Sequence, residues 1–240
     1  MVEVNTIKTL YSREFNIDEY LKQYYSSIDE EETFFLKQLG KIEQKIKGLK
    51  GIKKTSISNN SLGHLLPNPR TVVEIGSGPL ISGLVSASSW ADLLIFSDLV
   101  ESNRERIKET LSNVSSSPYD LSSINFVADI EGINAEDLIT RLERLPKIVT
   151  ESDLFFPSVL HPSLCLPQPP AVVIMKLCLE FSMTSNSDIV PALSRVASLI
   201  ARGGFLVIMG ALGNVTETCR HFAFSTPQRI GQGPIWEMIF

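Results

Sequence analysis

Thr71-Val72-Val73-Glu74-Ile75-Gly76-Ser77-Gly78-Pro79 decides the fold. Thr71–Ile75 is a short apolar run with four β-branched residues, the pattern of a strand buried on both faces. Gly76-Ser77-Gly78-Pro79 breaks it, and Leu80–Trp90 resumes with small and apolar residues at helical spacing. A strand that enters a helix through such a turn presents free N–H donors. Its glycines let a ligand reach the backbone where no Cβ stands.

On both sides of this stretch, strand and helix patterns alternate. Leu93–Ser97 is apolar and ends on Asp98. Glu101–Leu111 is a charged helix with Ile107 and Leu111 inward. Ile124–Ala128 reads as a third strand ending on Asp129, Ala135–Leu145 as a helix, and Ala171–Leu177 as a fourth strand. Ser187 or Asp188 caps a helix carrying Val190, Leu193, Val196, Leu199 and Ile200; Gly203-Gly204 stops it, and Phe205–Leu212 is a fifth strand. Upstream, Phe35, Leu39, Ile42, Ile46 and Leu49 share one helix face. Such alternation predicts an α/β, doubly wound, Rossmann-like sheet covered on both sides. Residues 213–240 show neither a long helix nor a strong strand pair, so the C-terminal end of the sheet is expected to be cut short. One domain over 1–240 is expected: a helical segment over 1–65, a core over 66–212, and a short divergent tail over 213–240.

The spacing of the glycines selects the ligand. A dinucleotide fingerprint wants a third glycine at position 81, where Ile81 stands; Gly83 comes two residues late. A phosphate-binding Gly-Lys-Ser/Thr is also absent. Glu-x-Gly-x-Gly after a first strand is the pattern of S-adenosylmethionine enzymes, whose loop meets an amino-acid tail. Asp98 lies twenty residues beyond Gly78, at the end of the next strand, where a carboxylate accepts hydrogen bonds from ribose hydroxyls. Asn103 follows on the next helical turn. A helix cap is the plain alternative for Asp98.

Composition narrows the class. The 240 residues are 43% hydrophobic and 20% charged, enough for a sizeable core. A net charge of -5 argues against a nucleic-acid partner. The local run Lys47, Lys50, Lys53 and Lys54 reads as a solvated helix end or loop. Three scattered cysteines (Cys165, Cys178, Cys219) and three scattered histidines (His64, His161, His221) predict no metal site. The longest apolar stretch, Phe205–Leu212, is too short to cross a membrane. Together with the polar N-terminus and odd cysteine count, this predicts a soluble cytoplasmic protein.

Several pieces then share one resemblance: Tyr20-Leu21 with Tyr24-Tyr25, the Gly76–Pro79 loop, Ser97-Asp98 with Asn103-Arg104, Leu177-Cys178-Leu179-Glu180, and Gly203–Leu212. From about residue 10 to residue 212 the chain resembles the small-molecule N-methyltransferases that act on nicotinamide, phenylethanolamine and indolethylamine. The resemblance implies a class I methyltransferase fold and a monomeric cytosolic enzyme. Its cofactor would be S-adenosylmethionine and its substrate a small pyridine or amine. Carried over by position, Tyr20 and Tyr25 close over the cofactor from an N-terminal lid. Gly76, with Ser77 and Gly78, approaches the methionine part. Asp98 and Asn103 hold the ribose, and Asp153-Leu154 sit by the adenine. Glu180 faces the substrate amine as the catalytic acid–base group; its plain alternative is a helix-start carboxylate.

Three departures accompany the likeness. Ser82 stands where the family often has a tyrosine reaching the cofactor carboxylate. Lys176 occupies a small-residue position lining the cofactor pocket, where its charge would oppose the sulfonium. Gly210 and Gly213 offer no side chains where the family contacts substrate, and its last helix and closing strands are expected to be missing. These departures keep open a cofactor-binding relative without turnover. A nicotinamide-dinucleotide oxidoreductase is the third alternative, disfavoured by Ile81.

Overall fold

The computed structural model describes residues 15–50, 70–182, 186–212 and 235–239. Two helices come first. Asn16 caps α1, Ile17–Tyr24, by accepting from the amides of Asp18 and Glu19. Asp29 accepts from the Glu32 amide at 2.9 Å and so opens α2, Glu30–Lys50. Phe35, Leu39 and Ile42 are buried on the predicted face of α2; the side chains of Ile46 and Leu49 lie outside the described residues.

The sheet is formed by β1 (Thr71–Ile75), β2 (Leu93–Asp98), β3 (Lys147–Glu151), β4 (Val172–Lys176), β5 (Phe205–Leu212) and β6 (Ile235–Ile239). Its order is β3-β2-β1-β4-β5-β6. Pairing is parallel from β3 through β5, whereas β6 runs antiparallel to β5. The chain works outward from β1 to β2 and β3, then returns to place β4 on the other side of β1. That reversal is the topological switch point of a Rossmann-like α/β sheet, beside which such folds bind ligands. The chain between the strands folds as α3 (Ser82–Val85) with a following 3-10 turn, α4 (Glu101–Ser112), α5 (Pro118–Glu131), α6 (Ala135–Arg144), α7 (Leu179–Ser182) and α8 (Asn186–Leu199). One sheet face packs with Phe35, Ile81, Leu84, Ile107, Ile124 and Leu138; the other buries Val73, Ile95, Val173, Met175 and Val196.

The structure corrects four sequence readings. Ile124–Ala128 is the middle of α5, and the third strand is Lys147–Glu151. A five-residue apolar run has no intrinsic preference between strand and helix; here Ile124, Val127 and Ala128 share the buried face of the helix. Leu80–Trp90 forms only one α-helical turn, Ser82–Val85, before tightening into the 3-10 turn Ser86–Ser89. Val190, expected inward, is 73% exposed, because Ala192 and Val196 turn the other side of α8 to the core. The sheet also has a closing strand: β6 pairs Ile239 with Ile208 and Ile235 with Leu212, giving the β5 edge a hydrogen-bonding partner.

Among the described residues no helix is long and apolar enough to cross a membrane, and no cluster of three metal-ligating side chains occurs. Residues 53 and 54 of the basic run, His64, Cys219, His221 and residues 213–217 lie outside the described residues.

Candidate active site

Four neighbouring strands deliver the candidate residues to one edge of the sheet. Ile75 pairs with Ser97 on one side and Met175 on the other, so the glycine loop, Asp98 and Lys176 emerge side by side. Asp98 pairs with Glu151, which places Asp153-Leu154 just beyond the end of β3 and next in line.

Backbone and side chains both hold the loop. The amides of Gly76 and Ser77 donate to the Ser97 carbonyl at 2.8 and 3.0 Å. The Ser77 hydroxyl accepts from the Ser97 amide, and the Ser97 hydroxyl donates to the Glu74 carbonyl at 2.7 Å. Ser77 therefore serves the loop's own shape. The two glycines differ. A Cβ on Gly76 would overlap the Cβ of Cys178, so its bareness admits the chain after β4. A Cβ position on Gly78 meets nothing within 4 Å; this is where the backbone lies open to a ligand. Leu177, between Lys176 and Cys178, has φ 53, an uncommon left-handed conformation for a branched residue.

Asp98 is 6% exposed. One carboxylate oxygen accepts the Gly78 amide at 2.8 Å; the other accepts the Val100 amide at 2.8 Å and the Asn103 side-chain amide at 3.1 Å. Burial pushes its pKa up, and these donors oppose the rise. The buried Oδ1 of Asn103 has no hydrogen-bond partner. A carboxylate has about four acceptor positions, so Asp98 retains capacity beside this orphaned acceptor. Two acceptors short of donors, next to an open glycine, suit the two hydroxyls of a ribose. The acceptor set thus fits a nucleoside. Asp153 and Leu154 are both buried; the Asp153 carboxylate accepts the Phe155 amide at 2.9 Å.

The first turn of α3 is closed to phosphate. Its Ile81 amide donates to Asp120 on α5 at 2.9 Å, so a carboxylate already occupies the anion position. The Asp120 pKa is raised by burial, with Ser117 and the Ile81 amide pulling it down.

In the N-terminal segment, Tyr20 and Tyr25 meet with ring centroids 5.6 Å apart. Burial raises the pKa of each, so both stay protonated at neutral pH. They lie within electrostatic range of Lys176 and Glu32 respectively. Lys176 donates to Glu32 at 2.9 Å and to the Ser82 hydroxyl at 3.3 Å, and its Nζ lies 5.7 Å from the Phe35 ring centroid. Burial pulls its pKa down, but Glu32 and Glu74 hold it above the ordinary lysine value. The expected clash between Lys176 and a sulfonium is thereby removed, because a carboxylate of the N-terminal helix balances the lysine. Glu74 is fully buried and its pKa is pushed up to about 7, chiefly by burial. Glu180 lies in α7, just beyond β4; its side chain lies outside the described residues.

Sequence reasoning missed Glu32 and Asp120. Glu32 sits in the run Glu30-Glu31-Glu32, which any helix start favours through its dipole, so nothing distinguished the member that turns inward. Asp120 was hidden by the strand reading of its helix, although Ser117-Pro118 marked a helix start.

A cavity of about 800 Å³ opens between α1 and α4, bordered by Asp18, Glu101, Arg104, Glu105 and Arg106. It touches neither the glycine loop nor Asp153.

Known proteins resemble the chain as follows. The profile of the NNMT/PNMT/TEMT family matches residues 3–225. Nicotinamide N-methyltransferase of Homo sapiens is 32% identical over 213 residues, covering 86% of this chain and 74% of that protein. Phenylethanolamine N-methyltransferase of Macaca mulatta is 27% identical over 147 residues, covering 60% and 51%. Among solved structures, the rRNA methyltransferase aviRa from Streptomyces viridochromogenes superposes with a TM-score of 0.46 at 15% identity, covering 73% of this chain and 75% of that one. The fold rests on the sheet order rather than on likeness at that level.

Proposed function

The chain belongs to the NNMT/PNMT/TEMT family and is an S-adenosylmethionine-dependent methyltransferase; from that premise we propose that it methylates the nitrogen of a small pyridine or amine, of the nicotinamide or arylalkylamine kind. The observation that carries this reading is the open glycine at position 78 beside Asp98 and the orphaned Asn103 oxygen, a nucleoside-shaped set of acceptors at the switch point.

Bound S-adenosylmethionine supplies a methyl group on a positively charged sulfur, and transfer leaves a neutral thioether. The protein's task is mainly alignment, and such positioning supplies ~7–11 kcal/mol. In the proposed arrangement Gly76–Gly78 line the cofactor, while Asp98 and Asn103 accept the ribose hydroxyls. Asp153 and Leu154 border the adenine. Tyr20 and Tyr25 cover the site and keep water out. Glu180 orients an ammonium substrate and takes its proton, directly or through water; a pyridine nitrogen needs no such base. The acidic overall charge supports a small-molecule rather than a nucleic-acid partner. A monomeric, cytoplasmic working form belongs to the same proposal.

Two observations weigh on the alternatives. Balance of Lys176 by Glu32 removes the main electrostatic objection to turnover. Asp120 on the Ile81 amide disfavours a pyrophosphate and hence a dinucleotide. The test incubates purified protein with methyl-labelled cofactor and a panel containing nicotinamide, phenylethanolamine and indolethylamine. Transfer to at least one nitrogen compound is expected. No transfer across a broad amine and pyridine panel, with cofactor bound, sinks the reading.

A further inference from the structure

Lys176 and Glu32 form a buried ion pair, their side chains 9% and 6% exposed. It joins the N-terminal helical segment to the sheet at the switch point. A buried pair of this kind is no more stabilising than well-packed apolar side chains of similar volume, so its presence calls for another reason. The surroundings supply one. Glu32 uses only one oxygen on Lys176; its Oε1 is buried without a hydrogen-bond partner. Glu74, also fully buried, has Oε2 unpartnered and lies within electrostatic range of Lys176. Lys176 also donates to Ser82 Oγ, at the start of the helix that follows the glycine loop. One cation, two carboxylates and two unused acceptor oxygens thus gather beside Gly76. The unused acceptors call for a cationic N–H donor, and Lys176, with two of its three N–H donors engaged, has one left for an anion; the head of an α-amino acid carries both groups.

We propose that Glu32 and Lys176 are a split zwitterion site for the amino-acid tail of the cofactor: the free oxygen of Glu32 accepts the tail ammonium, and Lys176 Nζ meets the tail carboxylate beside Ser82. This rests on the cofactor reading above. Two internal charges that pair with each other in the empty protein pair with opposite charges of the ligand in the complex, so little buried charge is left unbalanced at either stage. Because Glu32 belongs to α2, the segment carrying Tyr20 and Tyr25 is held down by the same contact that recognises the cofactor. Lid closure and tail binding are one event.

The test is calorimetric titration of native protein and variants with four probes: S-adenosylhomocysteine, its decarboxylated and deaminated analogues, and 5′-methylthioadenosine, which lacks the amino-acid head. Native protein should bind 5′-methylthioadenosine about a hundredfold more weakly than S-adenosylhomocysteine, and each singly trimmed analogue about tenfold more weakly. Lys176→Met should cost about tenfold for S-adenosylhomocysteine and nothing for the decarboxylated analogue; Glu32→Gln should behave likewise toward the deaminated one. The double variant, which removes both members of the ion pair together and leaves neither unpaired, guards against misfolding and should bind 5′-methylthioadenosine as the native protein does. Equal native affinity for S-adenosylhomocysteine and 5′-methylthioadenosine overturns the proposal without any variant. So does an equal loss of both ligands on substitution, which would mark the pair as purely structural. If native protein binds none of the four, the cofactor reading fails and takes this inference with it.

Discussion

Gly76 and Gly78 have nearly the same left-handed backbone, φ +72 and +64, for different reasons. At Gly76 an added methyl overlaps the Cβ of Cys178. At Gly78 the methyl has open space, and only the backbone conformation resists it. Gly76→Ala should therefore cost about 3 kcal/mol or more, and Gly78→Ala about 1–2 kcal/mol, measured by urea denaturation. Cys178→Ala should not rescue Gly76→Ala, since the overlap is with Cβ rather than sulfur. Gly78→Ala should instead weaken S-adenosylhomocysteine binding, because the new methyl stands where the backbone is open. Glu74 gives a pH signature. Its pKa rises from 4.5 to about 7 on folding, so the native state holds a proton there that the unfolded chain releases. The sign follows: this contribution favours folding below about pH 4.5 and is lost as the pH rises towards 7, by about 3 kcal/mol at the limit. Urea midpoints at pH 5 and pH 7 should show that loss in the native protein and a flatter dependence in Glu74→Gln. Equal slopes would contradict the raised pKa.

Elements were legible where periodicity was unambiguous. Thr71–Ile75, Leu93–Asp98 and Phe205–Leu212 are apolar, β-rich and bounded by glycine or aspartate, and all three are strands. Their order around the glycine loop was enough to expect the switch point. Ile124–Ala128 was misread because strand and helix bury such a run equally well; the deciding cues lay at its ends. Ser117 caps α5, Pro118 starts it, and Gly132 stops it with φ 68. The true third strand, Lys147–Glu151, is a half-buried edge with charge at both ends, so no apolar run announced it. Of the candidate site, residues tied to backbone geometry (Gly76, Gly78, Asp98, Asn103) could be read directly. Glu32 could not, because its partner Lys176 lies 144 residues away. Asp120 shows what the corrected element contributes. From α5 it accepts the Ile81 amide, the Ser117 hydroxyl at 2.6 Å and, more distantly, the Thr110 hydroxyl. Asp120→Ala leaves the buried Ile81 amide unpaired and frees the Ser117 cap hydroxyl from its carboxylate partner, so a loss of about 1–3 kcal/mol is expected by chemical denaturation. Asp120→Asn, which keeps an acceptor, should recover part of it.

At the scale of the whole molecule, the site is a product of strand order. β3, β2, β1 and β4 are neighbours, and each ends on a piece of the candidate site: Asp153, Asp98, the glycine loop and Lys176. The N-terminal helices are attached to this edge by a buried ion pair and by the apolar face of α2. A ligand that bridges sheet and helices should stabilise the molecule as a unit. One that touches the sheet alone should leave the helical segment free to open first. Ligand at a hundred times its dissociation constant adds about 2.7 kcal/mol of stability, and for a domain of this size each kcal/mol raises Tm by about 2–4 °C. S-adenosylhomocysteine should then raise Tm by about 5–10 °C at that ratio. It should also slow amide exchange in α1 and α2 together with the glycine loop. 5′-Methylthioadenosine at the same multiple of its own constant should give the same thermal shift by mass action, yet protect the loop and not the helices. Equal protection of the helices by both ligands would show that the amino-acid tail plays no part in joining them to the sheet. Protection of neither loop nor helices would place the cofactor elsewhere in the fold.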